Sequence, residues 1–477
     1  MTKYIPTIGL EIHVRIKSET KMFCSCKNAV ALASEPNMNV CNICMGFPGM
    51  LPNLNKEVVR LGLIGGMMMN CEVNKKSRFD RKTYFYPDNP TAYQITQMYE
   101  PIVGKGFVKT LVNGIERTFA IHHMHLENDA GKLIHAGGKT LLDFNRAGSP
   151  LMEIVTDPVF HDRDEVMEFL RELQKLMRAG GVSDADMEKG QLRCDVNISI
   201  APEGSLKLGS RTETKNVNSF MAIGRVIDHE IKRQKSVIEK GGIVDQETRG
   251  WNDDSGTSTT LRSKEDAMDY RYFPEPDLLP VILSDEFIND ARKLIPELPI
   301  EKRIKYLGVY KLSEDDARIL TTTRELSEYF DNLVELTGDS KKSCSYMTSV
   351  LLAMMNESET IKNILDLKFD IKELAKVIDL VNRDELSSTN SKQVIEELFN
   401  NGGETDIIVD ENNLRQKNDT DALEKIVEQV LLDNASQVAD YKSGNENIFG
   451  FFVGQCMKAS KGAGNPKIFN ELLKKKL

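Results

Sequence analysis

The N-terminal part of the chain alternates apolar with polar residues, which predicts strands, because successive side chains of an extended segment point to opposite faces. Ile8, Leu10, Ile12 and Val14 share one face and leave Glu11, His13 and Arg15 on the other. In IHHMHLENDAGK, an extended chain would set His123, His125, Glu127 and Asp129 side by side. Leu192, Cys194, Val196, Ile198 and Ile200 alternate with Arg193, Asp195, Asn197 and Ser199, and SRTETKNVNS places Arg211, Glu213 and Lys215 together. Within this pattern one helix is clear: Val166, Phe169, Leu170, Leu173, Leu176 and Met177 keep the helical period. Asp162 and Glu165 resemble a capping box before it, and Gly180 ends it.

The period changes near LLPVILSDEF. Ser284 is placed to start a helix, and SEDDARIL, RELSEYFDNLVEL and SKQVIEELF continue the helical pattern. A break at GGETDIIVDENN precedes DALEKIVEQVLLDN, whose Leu423, Ile426, Val427, Val430 and Leu431 form one stripe. The polar stretch Trp251 to Arg262 reads as a loop. These patterns predict an α+β protein: a sheet-and-helix domain over 1–293, a helical domain over 294–406 and a small helical tail over 407–477. With 477 residues, three domains agree with the usual size of roughly 150 residues each.

Composition narrows the function classes. There are 72 acidic against 62 basic residues, a net charge of −10, which excludes a uniformly basic nucleic-acid binder. The tail is different, because 407–477 holds ten acidic and ten basic residues, and its last 37 residues carry seven lysines against Glu446 and Glu471. A local patch of that kind suits sequence-independent phosphate contact. The N-terminus lacks a signal-peptide pattern and no apolar run approaches the ~18 residues of a membrane span, so a cytoplasmic protein is expected.

In that setting, eight cysteines are reduced thiols or metal ligands. Cys24-x-Cys26 and Cys41-x-x-Cys44, separated by fourteen residues, match a tetrahedral four-cysteine zinc site whose role is structural because no position stays open. Cys71, Cys194, Cys344 and Cys456 stand alone and are expected in cores. The polar strand faces hold carboxylates, imidazoles and cations together, a mixture suited to Mg²⁺ and phosphate. GGKT at 137–140 is no phosphate loop, because the required earlier glycine falls on Leu133.

Nine ordered motifs carry a family likeness: GLEIHV, FCSC with CNICMGFPGMLPNLN, YFYPDNPTAYQITQ, HLENDAGK, DFNRAGSPLMEIVTDP, RCDVNIS, RTETKNVNSF, DYRYFPEPDL and GFFVGQCMKASKGAGNP. Together they resemble the B subunits of bacterial aspartyl/glutamyl-tRNA amidotransferases, from about residue 5 to the end. The resemblance implies a ligase using ATP and Mg²⁺ to phosphorylate the side-chain carboxylate of Glu on tRNA(Gln), or of Asp on tRNA(Asn). Ammonia then displaces the phosphate. It implies an amidase A subunit that supplies ammonia from glutamine, a small C subunit, and a tail that grips tRNA.

By the same resemblance, Glu11, His13, Glu127 and Asp129 are expected on the metal side. Glu127, Glu153, Asp195, Glu213 and Lys215 carry the chemistry. Arg193, Asn197 and Arg211 contact phosphate or the aminoacyl end, and Tyr86, Asp88, Tyr93 and Gln94 line the pocket. Two positions depart from the family pattern. Asn128 stands for a second acidic residue and, by alternation, faces away from Glu127; Met268 stands for a histidine. Two rival readings are a non-catalytic tRNA-binding or assembly subunit and a stand-alone ATP-dependent carboxylate ligase.

Overall fold

The computed structural model describes residues 2–28, 35–215, 217, 219–263, 269–416, 420–460 and 464–477. Met268 and Lys461 lie outside the described residues. The described residues form two units, Met1–Lys302 and Arg303–Leu477.

The first unit is built on an eight-stranded sheet. Its strands are β1 (Tyr4–Arg15), β2 (Gly106–Val112), β3 (Ile115–Asn128), β4 (Pro150–Thr156), β5 (Leu192–Pro202), β6 (Thr212–Lys215), β7 (Glu247–Asn252) and β8 (Thr257–Ser263). They lie in the order β8-β7-β6-β5-β1-β4-β3-β2, and only the β6/β7 pair is parallel. Ile8, Leu10, Ile12 and Val14 of β1 and Leu192, Cys194, Val196 and Ile198 of β5 are buried in one core. Helices α1 (Lys56–Met68), α2 (Arg163–Ala179) and α3 (Phe220–Glu239) supply the other side of it, through residues such as Val58, Phe169, Leu173, Ile223 and Val226. One sheet face is thus covered by helices, and the polar set of each strand is turned to the other face.

Local signals explain the helix ends. The Asp162 carboxylate accepts the Glu165 N–H at 2.9 Å and Gly180 closes α2, as the sequence predicts. α1 lies close against the sheet because it presents glycines there: a Cβ at Gly62 would sit 2.8 Å from Leu126 Cδ2. Ser284 caps α4 (Asp285–Lys293) through the Phe287 N–H.

Two segments differ from the pattern-based expectation. Residues 251–262 form most of a β-hairpin at the sheet edge instead of a loop. Thr257, Thr259 and Thr260 are β-branched and favour extended backbone, and Gly256 (φ +62) supplies the turn. The break GGETDIIVDENN also contains a helix, Thr405–Glu411. In the second unit this helix gives Ile408 and Val409 to a core that begins at Tyr306 and ends at Leu414. A separate core, Leu423 to Leu473, holds the last helices, so residues 407–414 pack with the middle helices and not with the tail.

In that tail, Lys476 pairs with Glu424 at 2.7 Å and with Glu428, and Lys467 pairs with Asp384 at 2.8 Å. Part of the expected basic patch is neutralised locally. Among the described residues, no helix is long and apolar enough to cross a membrane.

Candidate active site and cysteine centre

Strand register explains which polar side chains meet. On β1, His13 lies opposite Glu153 of β4, and Glu153 lies opposite His125 of β3. Two residues along β3, Glu127 turns to the same face. His13 Nε2 is 3.4 Å from both Glu127 and Glu153, and His125 Nε2 is 3.7 and 3.3 Å from them. Burial opposes charge here, yet the hydrogen bonds of His125 and His13 hold Glu127 down to about 2. The Glu153 charge and hydrogen bonds to both carboxylates in turn lift the buried His125 to about 9.

The other polar residue of this face of β1 builds a second cluster. Glu11 lies opposite Asp195 of β5, and Asn197 lies opposite Glu213 of β6. Glu11, Asp195 and Glu213 bring oxygens within 4.8 Å of one another. Lys215 Nζ is 2.8 Å from Glu213 and contacts Asp195, while Asn197 donates to Glu11 at 3.1 Å and Thr248 to Glu213 at 2.8 Å. Burial, then the charges of Glu153 and Glu213, push the Glu11 carboxyl up. Asn197 Oδ1 is buried without a hydrogen-bond partner. An orphan amide oxygen beside three carboxylates is an oxygen-only donor set, the kind a hard cation such as Mg²⁺ takes.

The structure therefore divides the residues expected to hold one metal. His13 and Glu127 join Glu153, Glu11 joins Asp195 and Glu213, and Asp129 joins neither group. Asp129 lies just past the end of β3, with its N–H bonded to Ser149 O at 2.8 Å. Asp129 then sits among guanidiniums: Arg146 at 3.3 Å, Arg193 at 3.5 Å and Arg15 at 4.0 Å. Three cations against one carboxylate leave positive charge at that edge.

A cavity of about 460 Å³ touches both clusters, His13 and Glu127 of the first and Asp195 of the second, and is also lined by Asp129, Arg193, Lys215 and Gln94. Lys82 and Tyr84 also line it. The strand pattern of the sequence assigns neither a role, although alternation in DRKTYFY puts them on one face, and His125 has no role in that reading either. A smaller cavity of about 220 Å³ adjoins at Glu11 and Asn197, with Arg211, Leu10, Val155, Pro158 and Leu208 in its wall.

Tyr86 and Asp88 lie outside both cavities, on the loop that joins the strands Asp80–Thr83 and Tyr93–Thr96. Tyr93 stacks under Arg81 at 4.1 Å and faces the cysteine region instead. Asn128 points away from Glu127 and accepts the Ile95 N–H at 2.8 Å, while its carbonyl accepts from Gln94 at 2.9 Å. The substituted position thus anchors the Tyr93–Thr96 strand to β3.

The four cysteines converge, with sulfurs within 4.8 Å of one another, a set able to hold a metal ion. The Cys41 N–H donates to Cys44 Sγ at 3.1 Å, and the buried Lys21 ammonium is 3.8 Å from the same sulfur. The hydrogen bond from Cys24, with the Cys41 N–H and Lys21, pulls the Cys44 thiol down to about 5. A preformed thiolate with N–H···S support fits the donor chemistry of zinc. The four isolated cysteines are buried, as expected.

Comparison with known proteins agrees with this architecture. A family model described as the GatB/GatE catalytic domain matches residues 6–289, and one described as the GatB domain matches 328–477. The B subunit of the aspartyl/glutamyl-tRNA(Asn/Gln) amidotransferase of Persephonella marina is 43% identical over 476 residues, covering 100% of both chains. Proteins of the same description from Caldicellulosiruptor bescii (43%, 100% of this chain and 99% of the relative) and Geobacter sulfurreducens (42%, 99% of each) are comparably similar.

Proposed function

The chain belongs to the family of aspartyl/glutamyl-tRNA(Asn/Gln) amidotransferase B subunits, and from that membership we propose that it performs the carboxylate activation and amidation of a tRNA-dependent ligase. The substrate is Glu esterified to tRNA(Gln), Asp esterified to tRNA(Asn), or both. A side-chain carboxylate oxygen attacks the γ-phosphorus of ATP, the bond to the β,γ-bridging oxygen breaks, and ADP leaves. Ammonia, made from glutamine by an amidase A subunit that a small C subunit ties to this chain, then attacks the acyl carbon and expels phosphate. The new amide nitrogen loses one proton.

The observation that supports this reading best is the pairing of two carboxylate clusters on one sheet face, with His13, Glu127 and Asp195 of the two lining one cavity. The apolar wall of the smaller cavity suits a nucleobase, with Arg211 near its phosphates and the Glu11 cluster at the reacting end. Glu11, Asp195, Glu213 and the Asn197 oxygen would hold Mg²⁺ there, and His13, Glu127 and Glu153 offer a second set with one nitrogen donor. Bound Mg²⁺ would neutralise the charge that builds between phosphate and carboxylate. Lys215 and Arg193 hold phosphate or carboxylate oxygens by charge-assisted hydrogen bonds. Glu127 and Glu153, kept ionised by their imidazoles, position substrate and do not collect the proton; the departing phosphate is the better base.

The test is transfer of a labelled γ-phosphate from ATP to Glu-tRNA by the assembled complex without glutamine. Glu127→Ala and Glu213→Ala should each abolish it. Unchanged transfer in both overturns the site, and tRNA binding without any transfer by the unaltered complex would favour the non-catalytic alternative.

A further inference from the structure

Beside the cavity the first unit shows a group of aromatic side chains that no step above uses. Tyr84 lines the cavity, and the next two residues, Phe85 and Tyr86, are 78% and 58% exposed. Large rings this exposed lose favourable burial, so something other than folding accounts for their position. Their loop is held at the cavity rim: the Gly131 N–H donates to Asp88 O at 2.8 Å, beside the cavity-lining Asp129 and Ala130. It is also shaped from within, by the Asn89 amide donating to Tyr84 O at 3.1 Å and the Asn89 N–H to Tyr86 O at 3.0 Å. A second aromatic segment meets it, with the Tyr84 and Tyr270 rings 6.4 Å apart and Tyr270 and Tyr272 6.0 Å apart. Lys82 Nζ stands 4.9 Å over the Tyr270 ring, adding a cation to the group.

We propose that Tyr84, Phe85, Tyr86, Tyr270 and Tyr272 form a stacking platform for the unpaired 3′-terminal bases of the aminoacylated RNA. This rests on the function proposed above and names how that substrate is seated. Exposed rings interleaved with cations are the usual receptor for single-stranded nucleic acid, because every base has a π-face. An amino acid esterified to the terminal ribose must reach the Glu11 cluster, and the base of that nucleotide must then rest at the cavity mouth, where Tyr84 lines the wall and the other rings lie just outside.

The experiment uses the full chain in its amidotransferase complex and a tRNA whose terminal adenosine is replaced by 2-aminopurine, which loses fluorescence on stacking. Binding to the unaltered complex should quench the fluorophore. The doubly substituted Phe85→Ala, Tyr86→Ala chain should lose the quench and raise the KM for aminoacyl-tRNA about 5- to 150-fold per lost stack, with the KM for ATP unchanged. Phe85→Tyr with Tyr86→Phe, which keeps both rings, should restore quench and KM. Two results would overturn the platform: an unquenched fluorophore on the unaltered complex while tRNA binds, or an unchanged quench and KM in the double alanine variant. A complex that binds the RNA with quenching yet forms no amide points instead to failure of the proposed function, leaving the platform supported.

Discussion

Lys215→Met is the most revealing single change. Lys215 already holds two carboxylates of an oxygen cluster suited to a cation, so a divalent ion bound by those oxygens must displace its contacts with Glu213 and Asp195. Two charge-assisted hydrogen bonds are worth about 1.5–3 kcal/mol each. The lysine is 32% exposed, so water returns much of that when it leaves, and roughly half is a fair net cost of displacement. Removing the competitor should therefore tighten divalent binding by roughly 1.5–3 kcal/mol, or about 10- to 150-fold. Ionised carboxylates left behind would repel one another by about 3.5 kcal/mol per pair at 4.8 Å, the widest separation in the cluster, in an effective dielectric of 20, which adds to the demand for a cation. Mn²⁺ binding read by loss of the free-ion electron paramagnetic resonance signal measures this directly. Carrying Glu153→Gln in both proteins weakens the neighbouring His13 cluster as a rival site. Phosphoryl transfer should fall even as metal affinity rises. Equal or weaker Mn²⁺ affinity in Lys215→Met would refute the argument that the lysine and the metal share these oxygens.

Two further predictions concern the metals and the imidazoles. The purified chain should carry one zinc by elemental analysis, and Cys41→Ser should lose it together with the melting transition of the N-terminal unit; a fully folded chain without metal would refute the assignment. In metal-free protein, His125 should titrate near 9 and His123, lowered by burial and by the His125 charge, near 4, as followed by imidazole C–H resonances. Because His125 is raised from 6.5, its stabilisation is complete below that pH and disappears as pH rises through about 9. Glu127, lowered from 4.5, stabilises above that value and loses its effect as pH falls through about 2. The quartet should thus stabilise most between about pH 4.5 and 6.5, and a His125 that titrates near 6.5 would contradict the ion-paired geometry.

Alternation makes much of this site readable from the residues alone. The polar sets on β1, β5 and β6 are those read from GLEIHVR, RCDVNIS and RTETK, because a residue period of two survives wherever one face is buried. Cross-strand register is not written in that period. Alternation does bring Asp129 to the same cavity wall as Glu127, but it cannot show that Arg15, Arg146 and Arg193, from three other segments, surround that carboxylate. Lys82 and Tyr84 escape a reading of the sequence for a similar reason, since their segment belongs to a separate small sheet and only its placement brings them to the cavity. The edge hairpin at 247–263 is hidden by its Gly, Ser and Asp content, which resembles a loop until a neighbouring strand is known.

The register also explains how one strand builds two separate clusters on a single face. Glu11 and His13 are two residues apart on β1, so their side chains emerge about 6.6 Å from each other on the same face. Each recruits its own partners from the flanking strands: Glu11 draws on β5 and β6, His13 on β4 and β3. The clusters stay chemically distinct, one oxygen-only with a lysine, the other ionised carboxylates clamped by imidazoles. They are still close enough that the Glu153 charge reaches Glu11. In the proposed reaction, an activated carboxyl group formed at the first cluster would need to move only about one side-chain spacing to reach the second. A mixed anhydride of carboxylate and phosphate is prone to hydrolysis, so under the proposed reaction a transfer distance this short would be a direct physical benefit of centring both clusters on one β-strand.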